Sequence, residues 1–140
     1  MADTLENAQA DGRAPWTVVL WETTEYTVFE DGFPVTQGHS LFVPKENTAE
    51  AIARCVQAAV EQGNLNVNAE ENDVTGYNIG LNIGASAGQT CMYPHVHLIY
   101  RRDGDCSDPV GGVRNVIPGK GNYKKPPIDF GSDILYSDGC

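Results

Sequence analysis

The chain has 140 residues, 41% of them hydrophobic, which suits one domain with a single core. Nine basic residues against nineteen acidic ones leave a formal charge of −10, which argues against a nucleic acid polymer or an anionic membrane as partner. No run of apolar residues is long enough for a membrane helix, and the start Met1-Ala2-Asp3-Thr4-Leu5-Glu6 lacks the basic and apolar regions of a signal peptide, so a cytoplasmic protein is expected.

Residues 1–15 are polar, contain Gly12 and Pro15, and are expected to form a flexible arm. Residues 16–22 (Trp-Thr-Val-Val-Leu-Trp-Glu) and 26–30 (Tyr-Thr-Val-Phe-Glu) are rich in β-branched and aromatic residues and predict an antiparallel pair of strands. The Phe33-Pro34-Val35-Thr36-Gln37-Gly38 connection leads into a third strand that begins near His39. Asn47 with Glu50 three residues later has the form of a capping box, and Ile52, Cys55, Val56, Ala59 and Val60 recur at helical spacing before Gly63. These features predict the one main helix.

Residues 64–75, rich in Asn and Glu, read as a loop, and residues 77–83 as a fourth strand. Gly84-Ala85-Ser86-Ala87-Gly88 is a turn of small residues whose backbone amides could approach a ligand. The alternation of apolar residues around His95 and His97 predicts a fifth strand within residues 88–102. The organisation expected is an arm (1–15), a domain (16–123) and a tail (124–140), with an α+β fold of about five antiparallel strands and one helix.

Three histidines are present: His95 and His97, two apart and therefore on one strand face, and His39 in its own strand signal. Three imidazoles beside a glycine-rich turn suit a nucleophilic site, a zinc site using His39, His95 and His97, or three hydrogen-bonded histidines in an inert core. Cys55, Cys91, Cys106 and Cys140 have no metal or redox spacing and are expected as reduced thiols. Arg101, Arg102, Arg114, Lys120, Lys124 and Lys125 gather after the histidines, where they could draw a small anion or simply form a solvated loop.

The segment Gly88-Gln89-Thr90-Cys91-Met92-Tyr93-Pro94-His95-Val96-His97, followed by apolar residues, resembles the signature of the histidine triad superfamily, a Gly-Gln-Ser/Thr segment running into His-x-His-x-His. The runs Arg101-Arg102-Asp103-Gly104-Asp105 and Asp108-Pro109-Val110-Gly111-Gly112-Val113-Arg114-Asn115-Val116-Ile117-Pro118 are similar to its microbial branch of diadenosine polyphosphate hydrolases, and the likeness covers roughly residues 16–123. The resemblance implies a sheet continued across a homodimer. It also implies hydrolysis at the α-phosphate of a dinucleoside polyphosphate or a nucleoside monophosphate adduct, through a nucleotidyl-histidine.

On that resemblance His95 is the nucleophile. His97, the hydroxyl of Thr90, the amide of Gly88 and the side chain of Asn82 serve as phosphate donors, and His39 lies beside the phosphate. Asp31 holds the ribose hydroxyls, Gln89 positions the segment, and Arg101 and Arg102 reach a second nucleotide or its phosphates. No cofactor is required, and a divalent cation would enter only on the substrate's phosphates. No metal site is implied, because the N-terminal cysteine pair that holds structural zinc in many superfamily members is missing. Tyr93 stands where the first triad histidine belongs, in a supporting place, and Tyr100 where the branch has proline. Two alternatives follow: a nucleotide-binding or regulatory protein with reduced turnover, and a nucleotidyltransferase, since Tyr93-Pro94-His95 is similar to the His-Pro-His of the uridylyltransferase branch.

Overall fold

Short runs of β-branched and aromatic residues build one five-stranded antiparallel sheet in the computed structural model, which describes residues 2–125. Its strands are β1 (Val19–Glu22), β2 (Tyr26–Glu30), β3 (Ser40–Pro44), β4 (Gly76–Leu81) and β5 (Val96–Arg101), in the spatial order β1-β2-β3-β5-β4. A helix precedes the sheet in the chain, α1 (Leu5–Asp11), and a second, α2 (Ala49–Asn66), crosses from β3 to β4. The α+β class, the strand number and the single long helix are as the sequence predicts.

Directly paired residues share a face, so the register divides the core in two. Val28, Phe42 and Val96 occupy one cross-strand row and, with Leu98, pack against Cys55, Ala58 and Ala59 of α2. Phe29, Leu41 and His97 form the neighbouring row on the opposite face, where Leu5, Ala8, Ala14, Val43 and Tyr93 close over the sheet. The histidine therefore lies on the face that α2 does not cover.

The arm expected over residues 1–15 is instead tied to that face. Thr4 caps α1 by accepting from the Asn7 amide, Gly12 ends it at φ +86°, and the Leu5 and Ala8 side chains are buried. Arg13 pairs with Asp3 and Asp11, which fixes the turn back toward the sheet. With only two core contacts in seven residues, the hydrophobic period of so short a helix is faint. The Thr and Gly caps are its legible signals.

Four further expectations are corrected. Residues 16–18 lie outside β1, because Trp16 turns its ring against Phe29 and His95. Helix α2 is capped by Thr48, whose hydroxyl accepts from the Ala51 amide, while Asn47 donates its side-chain amide to Asp3. The helix also runs through Gly63 to Asn66, since Gly63 serves close packing: a Cβ there would stand 2.7 Å from the Tyr77 ring. Residues 126–140, most of the expected tail, and Cys140 lie outside the described residues. Among the described cysteines, Cys55 and Cys106 are free thiols, whereas Cys91 is disulfide-bonded, contrary to the expectation of reduced thiols throughout.

Candidate functional site

The rung Leu41–His97 places His97 against the start of β3, where His39 sits one residue before the strand. His39 Nε2 lies 2.9 Å from His97 Nδ1, and the Asp31 carboxylate, at the end of β2, lies 3.3 Å from His39 Nε2 and 3.9 Å from His97 Nδ1. His95 precedes β5 and keeps the same face, its ring centroid 5.1 Å from that of His97. All three imidazoles and Asp31 thus share one buried patch on the uncovered face.

The hydrogen-bond partners fix where the protons sit. His95 Nδ1 is 2.7 Å from the Tyr93 carbonyl, which can only accept, so Nδ1 carries the hydrogen and the Nε2 lone pair is free. His39 Nδ1 accepts the backbone N–H of Val35 at 3.1 Å, so in neutral His39 the hydrogen is on Nε2 and points at His97 Nδ1. His97 then accepts at Nδ1 and carries its own hydrogen on Nε2, a buried atom with no partner among the described residues. One free lone pair and one free N–H therefore stand side by side.

Burial pushes the pKa of all three histidines below the ordinary value, with the Tyr93 carbonyl opposing it at His95 and Asp31 opposing it throughout. For His97 burial and the neighbouring imidazoles together lower it to about 4. Neutral rings suit both a nucleophile and a metal ligand, and Asp31, His39 and His97 bring three ligand atoms within 4.8 Å of one another. Among the described residues that trio, and not the His39, His95 and His97 set open in the sequence, is the one with metal-like spacing. The donor chemistry does not fit an ion, because the Val35 amide leaves His39 Nε2 protonated and facing the centre of the trio.

The turn after β4 is built from glycine: Gly84 and Gly88 have φ of +93° and +90°, which side chains with a Cβ rarely adopt. Gln89 ties it down, accepting from the Gly84 amide and donating to the Cys91 carbonyl. The Gly88 amide donates to the Ala85 carbonyl at 3.0 Å within the turn, so it is engaged there rather than turned to a ligand. Asn82 follows β4 two residues beyond Gly80, the rung partner of His97, and Thr90 is exposed beside the histidine segment.

Arg101 and Arg102 are held elsewhere. Arg101 forms a bidentate pair with Asp105 and donates to Asn78, while Arg102 donates to Asp73 and to the Gln37 carbonyl. Arg114 donates to the Gly121 and Lys120 carbonyls, and Lys125 pairs with Asp108. These members of the cationic cluster close the 101–125 segment on itself. Tyr100 is likewise structural, its ring against Gly38 and its hydroxyl accepting from Asn66.

Tyr93 is fully buried, and its hydroxyl donates to the Pro44 carbonyl at 2.7 Å. Its service to His95 passes through the main chain, which any residue could supply. Main-chain groups of Tyr93 and Val35 carry no sequence signal of this kind. Trp16, with its ring centroid 4.6 Å from that of His95, is a side chain of the site that the sequence pattern placed in a strand and did not single out as functional.

Residues 14–104 match the HIT domain, the histidine triad domain, over more than half of the chain. The chain belongs to the HIT family. It is 34% identical over 94 residues to the adenylylsulfatase HINT3 of Arabidopsis thaliana, covering 62% of this chain and 47% of that one. With the nitrilase and fragile histidine triad fusion protein NitFhit of Caenorhabditis elegans it shares 32% over 103 residues, 64% of this chain and 22% of that protein. It thus spans about half of the first relative and about a fifth of the second. A zinc-bound histidine triad family protein from Mycobacterium smegmatis has the same fold, with a TM-score of 0.59 and 27% identity over 74% of this chain and 78% of that one.

Two outcomes are expected for this HIT domain. A histidine held neutral by burial binds fewer protons folded than unfolded, so stability falls as pH drops from 6.5 toward 4, the interval set by His97. Urea midpoints measured across that interval should decline with acid, and a flat profile would contradict the buried neutral triad. Tyr93→Phe leaves the Pro44 carbonyl short of a buried donor and should cost about 1–2 kcal/mol. Its carbonyl still holds His95, so catalytic turnover should change less than about twofold, or under 0.5 kcal/mol of barrier.

Proposed function

We propose that this HIT protein is a nucleotide hydrolase that cleaves at the α-phosphate of a dinucleoside polyphosphate or a nucleoside monophosphate adduct. The 2.7 Å bond from His95 Nδ1 to the Tyr93 carbonyl carries the reading, because it leaves Nε2 as a lone pair in a site where burial keeps the ring neutral. Membership of the HIT family and a relative named as an adenylylsulfatase agree with it.

In the proposed reaction His95 Nε2 attacks phosphorus and the bond to the leaving oxygen breaks. That oxygen departs with the electron pair and meets the His97 Nε2–H. The nucleotidylated ring keeps its hydrogen on Nδ1 and carries a positive charge, which the Tyr93 carbonyl faces. Water then adds to phosphorus as the P–N bond breaks, the electron pair returns to Nε2 and the water's proton passes to solvent. For the nucleoside, a cavity of about 210 Å³ is lined by Pro15, Trp16, Val18 and Phe33 together with Glu30 and Asp31, and Trp16 joins it to His95. Asn82 and Thr90 are the side chains that the family resemblance offers as further donors, and Gly88 shapes the turn.

The homodimer belongs to the same proposal. Strand β4 is an open sheet edge, and Leu81, Ile83, Val113, Val116 and Ile117 are exposed along it and on the adjoining turn, Gly112–Val116.

His95→Ala should abolish turnover of diadenosine tetraphosphate while nucleotide binding stays measurable, since the lost group acts mainly on the barrier. A nucleotidyl adduct trapped without acid should map to His95 by mass spectrometry; full activity in the variant would refute covalent catalysis. Light scattering should give about twice the 15.1 kDa chain mass. An active monomer at micromolar concentration would refute the dimer.

A further inference from the structure

His95 and His97 face the same patch but must play opposite parts, one offering a lone pair and the other a hydrogen. A neutral imidazole can carry its hydrogen on either nitrogen, so two unconstrained rings have four arrangements and one productive one. At His95 the choice is made locally, by the carbonyl two residues back. At His97 no backbone group makes it, and the choice comes from across the β2–β3 loop.

Within that loop the Asp31 amide donates to the His39 carbonyl and the His39 amide to the Thr36 carbonyl, while the Thr36 hydroxyl bonds the Tyr100 carbonyl of β5 at 2.6 Å. The loop is therefore pinned at both ends, and Val35 N–H is held 3.1 Å from His39 Nδ1. If His39 carried its hydrogen on Nδ1, two donors would face each other there, and the bond to His97 would be lost as well. Asp31 favours the same arrangement: its second carboxylate oxygen is buried, lacks a hydrogen-bond partner and lies 3.3 Å from His39 Nε2, where negative charge draws the N–H inward.

We propose that the Val35 backbone amide, acting through His39, fixes His97 as a neutral Nε2–H donor, and that this makes the enzyme selective for leaving groups stable as anions. The argument rests on the hydrolase reading above and deepens it. A neutral donor lowers the energy of a departing phosphate or sulfate oxygen through a hydrogen bond. It does not hand over a proton, because loss of the Nε2 hydrogen would leave an imidazolate unless His39 gave up its own. An amine leaving group must take a proton as it departs, and this relay, with Val35 closing its far end, has none to spare. The low pKa of His97, about 4, agrees, since the imidazolium is scarce at neutral pH. Phosphoanhydrides and mixed sulfate anhydrides are therefore the substrate class, and phosphoramidates are poor substrates. Val35 and His39 are positioning residues; His97 is the group that touches the substrate.

Long-range ¹H–¹⁵N spectra of the full chain at pH 7 report which nitrogen of each histidine is protonated, without any turnover. The expected pattern is Nδ1–H at His95 and Nε2–H at His39 and His97. Val35→Pro deletes the amide hydrogen and no side chain of the cluster, and should leave His39 and His97 as tautomer mixtures. His39→Leu should do the same at His97, while His39→Gln, which keeps an N–H in the same place, should restore its Nε2–H form. His97 found as Nδ1–H in the wild type, or an unchanged His97 in both Val35→Pro and His39→Leu, overturns the relay. In assays, diadenosine tetraphosphate should exceed adenosine 5′-monophosphoramidate in kcat/KM by at least about a hundredfold, or 2.7 kcal/mol of barrier. Equal or faster cleavage of the phosphoramidate overturns the selectivity. Cleavage of neither refutes the hydrolase reading and the selectivity with it, while the nitrogen spectra still decide the relay.

Discussion

The site depends on three rungs between β3 and β5: Ser40–Leu98, Leu41–His97 and Phe42–Val96. They bring together segments almost sixty residues apart and put His39, at the mouth of β3, within hydrogen-bonding reach of His97. A slip of one residue would turn His97 toward α2 and Val96 or Leu98 toward the patch. What prevents it is burial on both faces at once. Phe42, Val96 and Leu98 fill the space under α2, and Leu41 fills the space beneath α1 and Tyr93. Packing that looks purely structural therefore sets the spacing of the imidazoles.

On the proposed hydrolase reading, that arrangement lets an acidic protein host phosphate chemistry without an open basic pocket. Arg101 and Arg102 are bound to Asp105 and Asp73, so the polar side chains left in the patch are the three imidazoles and the Asp31 carboxylate. Neutral donors in a buried patch still act strongly on developing charge, because little water competes with them. The cost falls on stability, since three imidazoles and Asp31 are desolvated together.

Much of this was legible in the amino-acid pattern. Strand β2 matches its predicted range, β3 and β5 fall inside theirs, and β4 begins one residue before its predicted range and ends two short of it, because period-two alternation survives in short strands with one face buried. The pairing of His95 and His97 on one face and the turn conformation of residues 84–88 follow from the same rules. Helix α1 was hidden because seven residues with two buried positions leave almost no period. Arg101 and Arg102 pointed to phosphate by type alone, whereas their acidic partners, Asp105 and Asp73, decide their use. Tyr93 and Val35 act through main-chain atoms, which no residue identity encodes.

Trp16 gives the molecule one more property. Its indole packs against the nucleophile's ring, and the other tryptophan, Trp21, packs instead on Phe42. An indole in contact with an imidazole loses fluorescence when that imidazole becomes cationic, which in the reaction proposed above is also the state of a nucleotidylated His95. The fold thus places an optical reporter against the His95 ring, so a change in that ring's charge can be followed by emission from the protein itself.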